Sequence, residues 1–199
     1  MVMNVLTHTL SNGVVLPPIG FGSYRLSGRG AIAKVVADAI SMGYRLIDTA
    51  ACYQNEDGVG DAVRTCGIPR EELLVTSKVW NTDRGYDKTM VAFETSLKLL
   101  GMEYLDLYLI HWPANAVYSR NWESVNRSTW SALIELYKKQ KVRAIGVSNF
   151  KPKHLEALMT MDVQPMVNQI EIHPGFLQKE TLEYCCNHGI VVEGWAPFG

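Results

Sequence analysis

The sequence predicts an α/β barrel built from repeated strand–helix units, and three observations carry that prediction. Short apolar runs of strand length, rich in Val, Ile, Leu and Tyr, recur along the chain; each is followed by a turn and a stretch with helical spacing; and five of them end abruptly in a polar side chain. The five are YRLID at Asp48, LLVTSK at Lys78, LDLYLIH at His111, RAIGVSN at Ser148 and Asn149, and MVNQ at Gln169. In a parallel barrel the C-terminal ends of the strands open on one mouth, so these polar groups are expected to converge there. Such a gathering predicts an active site.

Taken in order, residues 8 to 16 read as a hairpin whose Asn12-Gly13 turn tolerates positive φ. IGFGSY is the first barrel strand, and AIAKVVADAISMGY is the first helix, closed by Gly43. Helices are predicted near 55 to 66, 87 to 100, 121 to 140, 152 to 161 and 178 to 188, with the strands quoted above between them and IVVEGW as the last. Trp122 and Trp130, eight residues apart, are placed on the inner face of one helix. No linker, charge block or low-complexity tract divides residues 1–199. The count gives an N-terminal hairpin plus seven barrel strands, where closure needs eight. The expectation is therefore a single barrel domain that is incomplete, missing its C-terminal part and leaving two unpaired edges.

Composition narrows the function classes. The chain has 199 residues, 47% hydrophobic and 20% charged, with a formal net charge of -1. Its densest basic cluster, Lys138, Lys139 and Lys141, falls at a helix end, where cations suit the dipole, so no nucleic acid is expected as a partner. No run approaches the ~20 apolar residues that span a bilayer, and MVMNVLTHTL has no leader character, which predicts a cytoplasmic protein without membrane contact. Cys185 and Cys186 are adjacent, and Cys52 and Cys66 lack metal-ligand spacing, so four reduced thiols and no metal are expected. Cys52 stands beside Tyr53 and is expected to be open to oxidants.

The segments GYRLIDTAACYQNEDGVG, VTSKVW, LIHWP, GVSNF, NQIEIHP and EGWAPFG, in that order and over essentially the whole chain, resemble the aldo-keto reductase family. The WAPFG ending, with Trp195 where many animal members carry Tyr, is similar to the bacterial and protozoan branch, the diketo-acid reductase type. The resemblance implies a TIM (β/α)8 barrel and a nicotinamide cofactor held without a Rossmann fold. It also implies a catalytic tetrad falling here on Asp48, Tyr53, Lys78 and His111.

The residues themselves suit that chemistry. Hydride addition to a carbonyl leaves an alkoxide, so a proton donor must reach the oxygen. Tyr53 is the candidate, with the Lys78 ammonium expected to lower a phenol pKa of ~10. Asp48 is expected to pair with Lys78 and fix its direction, and His111, neutral, to hydrogen-bond the substrate oxygen. Each residue alone has an ordinary explanation: a turn cap, a packing tyrosine, a surface lysine, a core histidine. Four such coincidences at one mouth, in one family's spacing, are improbable.

Ser148, Asn149 and Gln169 carry groups suited to a carboxamide, their role in the family. The resemblance further implies that Trp195 stacks on the nicotinamide, that Asp48 lies against the cofactor, and that Gly22, Ser23 and Tyr24 form the floor and near wall. NADP(H) is the cofactor the family implies, with NAD(H) not separated from it by any residue present. Tyr24, Trp80, His111 and Trp112 are expected to surround a small-molecule carbonyl substrate, an aldehyde or ketone. The full-length form is expected to be a monomer, and the open barrel to self-associate and bind NADPH weakly. The alternatives are a non-catalytic relative acting as a binding or regulatory subunit, an inactive fragment, or an aldolase or isomerase using Lys78 as a Schiff base.

Overall fold

The structure is a computed structural model that describes residues 7–117 and 119–199. The leader reading above falls partly on residues 1–6, which lie outside the described residues. A two-stranded antiparallel hairpin, β1 (His8–Thr9) and β2 (Val15–Leu16), precedes a parallel sheet. Its tight turn is closed by the Gly13 amide donating to the Leu10 carbonyl at 2.9 Å. Gly13 takes the positive φ, 88°, and Asn12 does not; it uses its side chain instead, donating to the Arg143 carbonyl at 2.8 Å. The hairpin is thereby tied to the end of the sheet opposite the polar strand termini.

The sheet has seven strands in sequential order: β3 (Gly20–Gly22), β4 (Leu46–Asp48), β5 (Leu74–Val79), β6 (Leu105–Ile110), β7 (Val142–Ser148), β8 (Val167–Glu171) and β9 (Val191–Trp195). Six helices alternate with them: α1 (Arg29–Ser41), α2 (Glu56–Thr65), α3 (Tyr86–Leu100), α4 (Trp122–Lys138), α5 (Pro152–Met159) and α6 (Lys179–Asn187). Five lie within two residues of their predicted spans, whereas α1 starts two residues earlier and ends three residues sooner than the predicted 31–44. Every ladder of this seven-stranded sheet is parallel, as helical crossovers between consecutive strands allow. Among the described residues β3 and β9 are the two edges, so the barrel is open.

The sheet is nonetheless strongly curled. Four strand spacings separate β4 from β8, about 19 Å if flat. The Gln169 amide on β8 nevertheless donates to Asp48 Oδ2 on β4 at 2.8 Å, straight across the interior. Close filling below that contact depends on Gly146, where an added Cβ would lie 2.6 Å from the Val167 carbonyl oxygen and 2.8 Å from Leu109. Leu46, Leu107, Leu109, Ala144 and Val167 make up this buried interior.

The helices seal the outer face. Trp130 is fully buried on the inner face of α4, its indole donating to the Val163 carbonyl at 2.8 Å, and the half-buried Trp122 sets its ring edge-on to His154. Lys138 falls in the last turn of α4 and Lys139 at its C-terminal end, where cations suit the dipole, and they also pair with Asp162 at 3.1 Å and Glu135 at 2.6 Å. All four cysteines are free thiols. No helix among the described residues is long and apolar enough to cross a membrane.

Candidate active site

Strand alternation turns Asp48, Lys78 and His111 toward the mouth from the ends of three adjacent strands. Lys78 is wholly buried and spends its three donors on three acceptors: Asp48 Oδ1 at 2.5 Å, the Thr49 carbonyl at 3.0 Å and the Tyr53 hydroxyl at 3.4 Å. A buried ammonium is tolerable only when so matched. Burial works to lower its pKa, but the attraction of Asp48 and of Tyr53 outweighs this and leaves it raised. Lys78 therefore stays charged at neutral pH.

Tyr53 sits on a single 3₁₀ turn, Ala51–Tyr53, ended by Gln54 in the left-handed region at φ 54°. The sequence does not reveal what holds that turn. Asn55, buried, accepts from Thr49 Oγ1 at 2.8 Å and donates to the Ser23 carbonyl at 2.8 Å, stapling the turn to the loop after β3. Glu56 then accepts from Ser77 Oγ at 2.6 Å, which locks the start of α2 to the back of β5 beside Lys78. Burial raises the Tyr53 pKa, with Lys78 pulling it down by less. This reverses the sequence expectation of a lowered phenol: desolvating a phenolate costs more than one ammonium at 3.4 Å returns.

His111 follows β6 and is held down to a pKa of about 3 by burial and, second, by the Lys78 charge, so its ring is neutral. Its ring meets Tyr53 edge-on at 5.6 Å and Trp80 at 5.0 Å, and Tyr24 lies 5.1 Å from Tyr53 on the other side. Tyr24 is 62% and Trp112 41% exposed, while Trp80 is half-buried, so these aromatics form the rim of the mouth and not the core. Cys52, Sγ 3.5 Å from His111 Nδ1, is pushed up to about 11 by burial. It is thus a poor thiolate, contrary to the expectation of oxidant sensitivity.

The far side of the mouth is built from β7, β8 and β9. Asn149, at φ 64°, donates to the His111 carbonyl and to Ser148 Oγ, both at 3.0 Å, and accepts from the Trp195 indole at 3.0 Å. Ser148 gives its hydroxyl proton to the Gln169 carbonyl at 2.9 Å. Gln169 donates both to Asp48 and, at 2.8 Å, to Glu193 Oε1. Glu193 was not singled out by the sequence. It points inward from an edge strand, where alternation places it beside Gln169, and burial followed by the Asp48 charge raises its pKa to about 7.

Gly22 lies exposed at the end of β3 in register with Asp48, near the mouth. Ser23 follows it with its side chain buried, the hydroxyl donating to Asn55 Oδ1 at 3.4 Å and the amide to the Asp48 carbonyl at 2.9 Å. Among the described residues no group of three or more His, Cys, Asp or Glu could hold a metal ion.

With this geometry in place, comparison with known proteins is direct. The model of the aldo/keto reductase family matches residues 18–199. The 9,11-endoperoxide prostaglandin H2 reductase of Trypanosoma cruzi (strain CL Brener) is 50% identical over 192 residues, covering 96% of this chain and 65% of that protein. The glyoxal reductase of Bacillus subtilis (strain 168) is also 50% identical, covering 96% of this chain and 67% of that protein. A mutant of Gox0644 solved in complex with NADPH superposes with a TM-score of 0.87 at 40% identity, covering 98% of this chain and 68% of that one. The chain belongs to the aldo/keto reductase family. It spans about two thirds of the length of the curated relatives it matches.

Proposed function

We propose that this chain carries the proton-handling and nicotinamide-facing parts of an NADP(H)-dependent reductase of small aldehydes or ketones. One observation carries the proposal: a fully buried Lys78 ammonium bonded at once to the Asp48 carboxylate and the Tyr53 hydroxyl, beside a neutral His111. A structural ion pair has no need of a phenol aimed into an aromatic-rimmed mouth.

The residues fit the amide end of a nicotinamide. Gln169 Oε1 accepts no hydrogen bond among the described residues, and Asn149 Oδ1 accepts only the Trp195 indole, so both can receive a carboxamide NH2. Trp195, half-buried with its N–H fixed, offers a ring face to an aromatic cofactor. When bound, a reduced nicotinamide supplies the hydride. The NADPH complex of the Gox0644 mutant and the family membership support NADP(H) here.

The chain's own part is to manage the proton and the charge. Tyr53 remains protonated at neutral pH and can release its proton to the oxygen as negative charge develops there. Lys78, kept charged by Asp48, stabilises the phenolate left behind. His111 hydrogen-bonds the same oxygen, and Tyr24, Trp80 and Trp112 exclude water without shape-specific polar contacts, which suits aromatic or aliphatic carbonyls. Glyoxal, the aldehyde named in one relative, is a reasonable first substrate. Following NADPH absorbance with glyoxal or an aromatic aldehyde tests the proposal. Tyr53→Phe should lose on the order of a hundredfold or more in turnover while binding NADPH as before. Equal turnover in the variant and the parent would refute the assignment.

A further inference from the structure

Cys52 and His111 meet at the mouth, with Sγ 3.5 Å from Nδ1. A neutral imidazole has one nitrogen that donates and one that accepts, and whatever binds one of them decides which is which. The thiol keeps its proton, because burial pushes Cys52 up to about 11, and the ring carries a single proton, because burial holds His111 at about 3. Between a protonated thiol and a neutral ring, the better pairing uses the imidazole lone pair as acceptor, since neutral sulfur accepts weakly. Tyr53 and Trp80 touch the ring only through T-shaped aromatic contacts, and among the described residues no other side chain hydrogen-bonds it.

We infer that Cys52 is a positioning residue: its S–H donates to His111 Nδ1 and fixes the tautomer that carries its proton on Nε2. The mouth then offers two donors to one incoming oxygen. One is His111 Nε2–H. The other is the Tyr53 O–H, which receives a hydrogen bond from Lys78 and gives its own proton to no acceptor among the described residues. The consequence for turnover rests on the carbonyl-reduction reading, whereas the tautomer does not. The arrangement makes the mouth selective for an acceptor-only oxygen, as in a carbonyl. With the other tautomer a bare Nε2 would repel that oxygen and favour a hydroxyl.

The test is a long-range ¹H–¹⁵N correlation spectrum of the ¹⁵N-histidine-labelled chain, with the His111 signals assigned by their loss in His111→Gln. The expected spectrum has a protonated Nε2 and an unprotonated Nδ1, unchanged between pH 5 and pH 8. Cys52→Val, close in volume, should shift the ring toward a mixture of tautomers, and Cys52→Ser should restore the single one. In the NADPH and aldehyde assay Cys52→Val should lower kcat/KM about threefold to tenfold, chiefly through KM for the carbonyl, with recovery in Cys52→Ser. A parent spectrum with the proton on Nδ1 would overturn the inference, whatever becomes of the variants. An unchanged tautomer in Cys52→Val would do the same. A chain that shows the Nε2–H tautomer yet never oxidises NADPH would remove the reductase reading and leave this one standing.

Discussion

At the ends of β5 and β6 every strand residue is buried, and Lys78 has all three donors matched within the protein. At the end of β9 the strand is only half-buried, its carboxylate Glu193 has one oxygen without a partner, and the Trp195 indole makes a single hydrogen bond, to Asn149. These two sides of one mouth differ because β5 and β6 are central strands flanked by ladders, whereas β9 is an edge among the described residues. The comparison teaches where preorganisation comes from. A charged pair can be fixed in advance only where neighbouring strands exclude water on both sides, and that is the side holding Asp48, Lys78 and Tyr53. The side built from β7, β8 and β9, to which the proposed function assigns the nicotinamide, takes its order from fewer contacts, and a bound ligand would have more to add there.

The largest way to break the central side is Lys78→Met. The substitution keeps the volume but leaves the Asp48 carboxylate without its cation, which should destabilise the chain by ~3–5 kcal/mol. Urea unfolding of the variant against the parent measures it, and a loss below ~1 kcal/mol would mean that Asp48 is solvated in a way this geometry does not allow.

Next in size is Glu193→Gln, which tests the edge side. Its carboxyl is raised to about 7 from 4.5, so its contribution to stability is fully present below about pH 4.5 and is lost as pH rises through about 7. With 1.36 kcal/mol per unit, the parent should lose roughly 3 kcal/mol from this group between those limits, and Glu193→Gln should lose none of it. Unfolding free energies at pH 5 and pH 8 for both chains decide the matter. Equal slopes would show a Glu193 that is hydrated and ordinary.

The smallest effect concerns the proposed amide clamp. Asn149 occupies the left-handed region, so Ala would add backbone strain, and Asn149→Gly is the cleaner substitution. Losing its partner groups should weaken NADPH binding by ~1–3 kcal/mol in a direct titration, with a smaller change in the rate of the bound complex. A parental dissociation constant would place Asn149 in the packing of the β7 end and nothing more.

The fold was legible because its signals are periodic and local. Apolar runs ending at Asp48, Lys78, His111, Ser148 and Gln169 mark strands directly, and Gly43 marks the end of the first helix, where the structure gives it a positive φ of 104°. The residues meant to share a mouth could be chosen for the same reason, since strand ends in a parallel barrel have only one place to go. The network that holds them could not. Asn55, Glu56 and Glu193 act through contacts to Thr49, Ser77 and Gln169 on other elements, and nothing in the neighbouring sequence announces a cross-strand partner. The balance of burial against charge at Tyr53 is equally invisible to sequence, because desolvation depends on how many atoms surround the phenol and not on which residues precede it.

Amide hydrogen exchange, read residue by residue with and without NADPH, tests the contrast between the two sides most directly. Amides of Leu74–Val79 and Leu105–Ile110 should exchange only through global opening and should not change with cofactor. Those of Val167–Glu171 and Val191–Trp195, together with Asn149, should exchange faster in the free chain and slow at least about tenfold when NADPH is added. A free chain in which β9 is as protected as β6, or one in which NADPH slows β5 and β6 while leaving β8 and β9 unchanged, would contradict the account.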